Sequence, residues 1–560
     1  VSPPGTGAAG ADAPWWAGAV IYQVYPRSFC LADPEGRRRR LADPGALRFA
    51  PPPGPRRAGV GDLEGIRRHL DHLVRLGVDA VWLCPFFPSP GDDGGYDVAD
   101  YCDVDPLLGD LGDLDRLVAD AHALGLRVLL DWVPNHTSDR HPWFVESRSS
   151  RASPKRGWYL WRQGRAGDPA LPPNNWRRAF GDGPAWSYDE ATREWYLHLF
   201  LPSQPDLDWS NPEVAEAMEA VLDFWLARGV DGFRIDVAHA LGKDPALPDL
   251  PPERAWLPVA AQHDDERTHA ILRRLRAHLD AHPRSPVALG EVFLLDAERV
   301  ARYYGAGDEL HLAFDFVPMF CGFDPRCLGR ALAEIDALLA PAGAWPALAL
   351  SSHDRPRHRT RYGGSERRAR LAAVVLLTTR ATAVLYAGEE LGLEDAVVPE
   401  ARRLDPGGRD PCRAPIPWTP DPEHGWALEG GETWLPWPPE ASVRNVESQW
   451  ADEGSILHLY RELLALRHHE PAMRLGEVRF LPCADPLLAF VRTGAGRAHA
   501  IFCNFGDAPL EVPSDVLAEL DSPTLGRIVL SSVGRPAARR GEPFEGVLRP
   551  EEAVVTRLAD

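Results

Sequence analysis

A helix-then-strand unit occurs three times between residues 62 and 237. Asp62 can cap a helix with apolar Ile66, Leu70, Leu73, Val74 and Leu76; Gly77 stops it, and VDAVWLCPFF follows as a strand. Asp113 can cap a second helix with Leu114, Leu117, Val118, Ala121 and Leu124; Gly125 stops it before LRVLLDWV. Asn211 followed by Pro212 opens a third, with Val214, Met218, Val221, Leu222 and Trp225 at helical spacing and Gly229 before VDGFRIDV. The strands are nearly continuous apolar runs, as expected of a parallel sheet buried on both faces.

Further strand candidates are GAVIYQVYP (18–26), SPVALGEVF (285–293), LHLAFDFV (310–317), PALALSS (346–352) and TAVLYAG (382–388), which brings the count to eight. Eight strands separated by helices predict a closed α/β barrel, the (β/α)8 or TIM barrel, rather than an open sheet. At 560 residues the chain exceeds what one core serves. Residues 137–210 break the rhythm with irregular Pro, Trp, Asn and Gly and read as an inserted domain B. From about residue 475 short alternating runs around a Gly-containing turn predict an antiparallel β domain, a β-sandwich domain C. The predicted division is a tail at 1–13, barrel domain A at 14–136 and 211–474, domain B at 137–210, and domain C at 475–560.

The formal net charge of -20 argues against a nucleic-acid or anionic-membrane partner, both of which need concentrated positive charge. A small neutral substrate such as a sugar is compatible with it, and the oligomeric state is left open. The eight Cys residues (30, 84, 102, 321, 327, 412, 483 and 503) form no zinc or redox spacing, and all are read as reduced thiols of a cytoplasmic protein. The first residues have neither the basic start nor the apolar centre of a signal peptide, and no apolar run is long enough to span a bilayer.

In such barrels chemistry gathers at the C-terminal ends of the strands. Asp131, Asn135 and His136, then Arg234 and Asp236, then Glu291, then His353 and Asp354 end four predicted strands. One ionisable residue there is ordinarily a cap or a loop ion pair; four sets converging on one face are hard to explain by packing. Paired carboxylates suit glycoside hydrolysis, one ionised to attack the anomeric carbon and one protonated to release the leaving oxygen. Arg234, two residues from Asp236, shares its strand face and is expected to depress its pKa. Glu291 is expected to stay protonated beside that negative charge. His239 and Lys243 are as readily structural as acceptor-binding. Arg37–Arg40 reads as a solvated loop, and Glu389 and Glu390 as structural.

DWVPNHTS (131–138), GFRIDVAH (232–239), EVF (291–293) and SSHDRPR (351–357) resemble the four signature stretches of the alpha-amylase clan, glycoside hydrolase family 13. GGYDVADY (94–101), QPDLDW (204–209), VIYQVYPRSF and GRDPCRAPIPW (408–418) resemble its alpha-glucosidase and oligo-1,6-glucosidase branch. The resemblance implies Asp236 as nucleophile, Glu291 as acid/base and Asp354 as transition-state stabiliser. It implies that Arg234, His136, His353, Asp97 and Arg413 hold the nonreducing glucose, with Tyr96 stacked beneath it. Three departures stand out. The loop after Phe29 lacks the line of oxygen ligands that a calcium needs, so no metal and no cofactor is expected. Ser352 stands where Asn is usual, and Arg355 follows Asp354 on the acceptor side.

The activity implied is that of an exo-acting retaining alpha-glucosidase taking short, maltose-like substrates. The alternatives are an oligo-1,6-glucosidase, a transglucosylase or sucrose-cleaving relative, and, in a different class, an inactive barrel serving as a binding subunit. Val237 tends to accompany alpha-1,6 cleavage in relatives, whereas the VAH-x-x-x-KDP context (237–245) resembles maltose-acting enzymes.

Overall fold

The computed structural model describes residues 13–558 except 44, 46, 47, 50–58, 429, 483, 521 and 523. The N-terminal tail and much of the Arg/Pro-rich insertion fall outside these residues. All eight expected barrel strands form: β1 (Val20–Val24), β2 (Ala80–Leu83), β3 (Arg127–Trp132), β4 (Gly232–Ile235), β5 (Val287–Gly290), β6 (Leu312–Ala313), β7 (Ala347–Ala349) and β8 (Thr382–Tyr386). They pair in parallel in the order β7-β8-β1-β2-β3-β4-β5-β6. A parallel bridge from Phe314 to Ala347 joins the two ends, so the sheet closes. Burial of nearly every strand residue explains why the strands lack polar alternation.

Local capping fixes where each strand is entered. Asp62 accepts a hydrogen bond from the Gly65 N–H as expected, but the helix is broken at His69 into Leu63–Arg68 and Leu70–Leu76. The second helix starts a turn earlier than expected, at Leu111. Asp110 is its cap and Asp113 the reciprocating N3 residue of a capping box. Asn211 and Pro212 start the third as read, and Gly77, Gly125 and Gly229 follow the helices at φ +100°, +82° and +98°, a left-handed conformation that glycine adopts at least cost.

Between β3 and β4, Trp161–Arg162, Glu194–Leu197 and Trp186–Asp189 form a three-stranded antiparallel sheet. Trp176, Trp186, Leu197 and Leu199 from this region pack with Val237, Ala240, Leu247 and Val259 from the loop after β4. The inserted segment therefore shares a core with the barrel's own catalytic-face loop. At the C-terminal end, Leu487–Gly494 and Arg497–Asn504 form the expected hairpin in a five-stranded antiparallel sheet with Glu477–Phe480, Ala553–Arg557 and Arg527–Ser531. Leu510–Glu511 pairs separately with Val547–Leu548.

Two sequence readings are corrected. The cysteines are not all reduced: Cys321 and Cys327 are joined, Cα atoms 5.6 Å apart, across the turn between the helices Val317–Phe320 and Pro325–Leu339. A turn brings residues only six apart within bonding reach, and spacing alone does not reveal it. Cys30, Cys84, Cys102, Cys412 and Cys503 are free, and Cys483 lies outside the described residues. Arg37–Arg40 is no solvated loop. It belongs to a helix, Pro34–Leu41, whose Arg37 is buried and donates to the carbonyls of Leu107, Val60 and Gly61. No helix among the described residues is long and apolar enough to cross a membrane.

Glu389 and Glu390 are structural, as expected. Glu389 accepts from Tyr460 Oη, and Glu390 from Tyr22 Oη and the Gly388 N–H. The Arg37 finding gives a direct test. Arg37→Ala leaves buried carbonyls without donors and should cost about 2–4 kcal/mol, whereas Arg39→Ala, in an exposed ion pair, should stay within about 0.5 kcal/mol. Thermal unfolding of the two variants checks it, and equal midpoints would return the segment to a solvated role.

Candidate active site

The strand ends converge on a cavity of about 560 Å³. Arg234, at the end of β4, is buried beneath the cavity floor and off its wall, and its guanidinium reaches three carboxylates from three strand ends. Nη1 lies 2.7 Å from Asp131 Oδ1 and 2.6 Å from Asp236 Oδ1, and Nη2 lies 2.7 Å from Glu291 Oε2. Asp236 and Glu291 are thus held on one rigid planar fork, and both line the cavity. Glu291 also accepts from the Val237 N–H at 2.9 Å. Val237 has φ +45°, rare for a β-branched residue, and its side chain is packed in the core shared with the inserted segment. That packing holds the strained backbone that presents its N–H to Glu291.

The expected depression of the Asp236 pKa is not what the surroundings produce. Burial pushes this carboxyl well up, Arg234 opposes, and the charges of Glu291 and Asp131 add to the rise. One guanidinium shared among three carboxylates does not offset removal from water. Asp354 is the opposite case. Burial works to raise it, but the His353 ring and the Arg409 and Arg413 guanidiniums outweigh that and hold it below the usual carboxylate range. Its Oδ1 lies 3.0 Å from Arg409 and 3.1 Å from Arg413, and its Oδ2 3.1 Å from His353 Nε2. Ser352 Oγ accepts from the Asp354 N–H at 3.2 Å, a bond that an Asn side chain at this position could also supply.

Of the residues that the resemblance assigned to the site, Tyr96, His136, Asp236, Glu291 and Asp354 line the cavity, whereas Asp97, Arg234, His353 and Arg413 are not on its wall. Asp97 is fully buried beneath the loop. It accepts from Ser89 Oγ and from the N–H groups of Asp92 and Asp93, and burial raises its carboxyl to about 7. His353 stacks under Tyr96, rings 5.4 Å apart, with Tyr96 Oη 2.6 Å from Nε2 and Gln23 Nε2 2.6 Å from Nδ1. Arg413 donates to the His353 carbonyl and to Asp354 from behind. Burial lowers His136 to about 4 and His353 to about 3, so both rings are neutral near pH 7.

The wall positions are taken instead by Asp93 and Arg409, which pair with each other, while Arg409 also reaches Asp354. Both lie within or beside stretches already singled out. Spacing does not tell which Asp of GDDGGYDVADY, or which Arg of GRDPCRAPIPW, faces the cavity. Gln204 from the inserted segment is 2.8 Å from Asp93 Oδ2 and 3.1 Å from His136 Nε2, tying this wall to the strand ends. Lys243 is structural, its ammonium 2.8 Å from Asp206 and 2.7 Å from Asn135 Oδ1. His239 lines the cavity, with Nε2 2.9 Å from the Ala260 carbonyl and Nδ1 accepting from the Phe293 N–H. The remaining wall is largely apolar, with Phe180, Phe200, Val237, Pro258 and Phe293.

The alpha-amylase catalytic-domain family matches residues 23–476. A probable alpha-glucosidase of Rhizobium meliloti is 40% identical over 88% of this chain and 89% of the relative. An oligo-1,6-glucosidase of Parageobacillus thermoglucosidasius is 32% identical over 88% and 91%. A solved alpha-glucosyl transfer enzyme superposes with TM-score 0.84 at 36% identity, covering 98% of this chain and 100% of that one. A trehalulose synthase of Pseudomonas mesoacidophila superposes with TM-score 0.86 at 29% identity, with the same coverage. The chain therefore belongs to the alpha-amylase family of glycoside hydrolases, in its alpha-glucosidase branch.

Proposed function

We propose that the protein is an exo-acting retaining alpha-glucosidase that releases glucose from the nonreducing end of short, maltose-like alpha-glucosides. The observation that carries this reading is the shared seating of Asp236 and Glu291 on the Arg234 guanidinium at a cavity floor. Asp236 attacks the anomeric carbon, and Glu291 gives its proton to the departing oxygen. The bond to the leaving group breaks as the bond to Asp236 Oδ forms. Water, activated by the now ionised Glu291, then breaks the glucosyl ester and restores both groups. Tyr96 supplies an apolar face for the sugar ring. His136, Asp93, Arg409 and Asp354 supply hydrogen bonds to its hydroxyls, and the Asp93–Arg409 pair closes the far side. A pocket closed behind one sugar favours cleavage from a chain end.

A second reading, transfer of the glucosyl group to a sugar hydroxyl, is favoured by the apolar part of the cavity wall, where Phe180, Phe200 and Phe293 compete with water for the space. Glucose release from equal concentrations of maltose, isomaltose and sucrose, with products resolved by chromatography, separates the readings. Maltose should be preferred. Dominant release from isomaltose or sucrose, or new longer sugars, would replace the assignment.

Asp236→Asn should abolish turnover in a folded protein, and near-normal activity would remove Asp236 as nucleophile. Glu291→Gln should slow maltose far more than a substrate with an activated leaving group, since acid assistance matters most for poor leaving groups, by roughly 10²–10⁴-fold. Val237→Thr should shift the ratio of maltose to isomaltose cleavage; an unchanged ratio would exclude Val237 as the linkage determinant.

The pH dependence has a definite sign. Asp236 must be ionised to attack and its pKa is raised by burial, so kcat/KM should fall with acidification above the ordinary aspartate range. Because Arg234 opposes that rise, Arg234→Lys, which loses the two-armed fork, should move this limb to higher pH. An acid limb at the ordinary aspartate value, unmoved in the variant, would contradict the electrostatic account.

A further inference from the structure

Most cations around the cavity are already committed. Arg234 serves three carboxylates, Arg409 serves Asp93, Asp354 and Asp405, and Arg413 serves Asp354 and Asp405. Arg355 is different. It lines the cavity and is half-buried, yet among the described residues no hydrogen bond or ion pair engages its guanidinium. Its one close partner is the Phe320 ring, whose centroid lies 3.8 Å from the guanidinium carbon. Asp354, its chain neighbour, has both oxygens taken by Arg409, Arg413 and His353.

Its position identifies the side of the cavity it serves. Phe320 is in edge contact with Phe293, centroids 5.8 Å apart, and Phe293 lies two residues beyond Glu291 and lines the cavity. Under the proposed mechanism the departing oxygen lies against Glu291. The Phe293–Phe320–Arg355 layer therefore bounds the leaving group and not the glucose. Burial and the nearby positive charge of Arg361 work against the charge on Arg355 and outweigh the support it gets from the neighbouring Asp354, so a half-buried cation is held there with its donors unused.

We infer that Arg355 is a specificity-determining residue of the leaving-group subsite, and that this subsite takes an aglycone carrying an oxyanion, a carboxylate or a phosphate. Phe320 fixes the plane of the guanidinium from one side and leaves its fork of donors free for two oxygens of one anionic group. An incoming anion also removes the cost of the unpaired charge, which a neutral sugar does not. The inference rests on the glucosidase reading of the same cavity.

The test compares two alpha-glucosides with leaving groups of three carbons, glucosylglycerate and glucosylglycerol, in the wild-type enzyme, Arg355→Gln and Arg355→Lys. A hydrogen-bonded charged contact is worth about 1.5–3 kcal/mol, or roughly 10–100-fold. The wild type should favour glucosylglycerate in kcat/KM by about that factor. Arg355→Gln should erase most of the preference, and Arg355→Lys should keep part of it. A wild type without the preference, or Arg355→Gln losing equally on both substrates, would reduce Arg355 to a packing residue and overturn the inference. Release of nitrophenol from 4-nitrophenyl alpha-glucoside by the wild type reports the glucosidase reading separately.

Discussion

Everything at the catalytic face depends on one buried cation. Arg234 leaves β4 into a space where the ends of β3, β4 and β5 each contribute a carboxylate, and its two arms hold all three. A buried guanidinium with one carboxylate roughly balances attraction against desolvation. With three carboxylates the group carries excess negative charge, which adds to burial in pushing Asp236 upward. The same excess is complementary to the oxocarbenium-like charge that builds on a sugar as its glycosidic bond breaks. The closed barrel makes this possible, because strand pairing fixes the three backbones independently of what their carboxylates prefer.

The inserted segment does more than cover the site. Asp206 meets Lys243 and Asn135, and Gln204 meets Asp93 and His136, so polar contacts cross from the insertion to both the strand ends and the loop after β2. Its aromatic core takes in the Val237 side chain. Val237 is held at φ +45° by that packing, and its N–H meets Glu291. The orientation of the acid/base candidate thus depends on a core formed by tryptophans of another layer.

The barrel was legible because three of its units repeat one grammar: a polar cap, a helical apolar stripe, a glycine stop and an apolar strand. The convergence of Asp236, Glu291 and Asp354 followed from strand ends alone. What stayed hidden was of two kinds. One was the choice between near neighbours. Asp93 or Asp97, Arg409 or Arg413, and Asp110 or Asp113 differ in which way a loop or first helical turn faces, and loops carry no period. The other was long-range burial. Arg37 looks like a member of a solvated Arg run until Leu107, Val60 and Gly61, distant in sequence, close around it. The Cys321–Cys327 pairing was hidden for the first reason, since it depends on the path of a short turn.

The cavity is chemically divided. Toward the floor, nearly every wall group is charged or hydrogen-bonding and is itself fixed by a buried partner: Tyr96 by His353, Asp93 by Gln204, Asp354 by Arg413. Toward the mouth the wall is aromatic and apolar, and Arg355 there stacks on Phe320 with no ion pair among the described residues. Under the proposed function, a glucosyl unit seated on the floor meets a preorganised set of donors and acceptors, so changes there cost both binding and chemistry. The mouth has few such obligations, because rings that only pack can be exchanged without stranding a buried polar group. Under the proposed function, the sugar that is attacked is specified by groups locked in the fold, and the partner it leaves or joins by side chains at the rim.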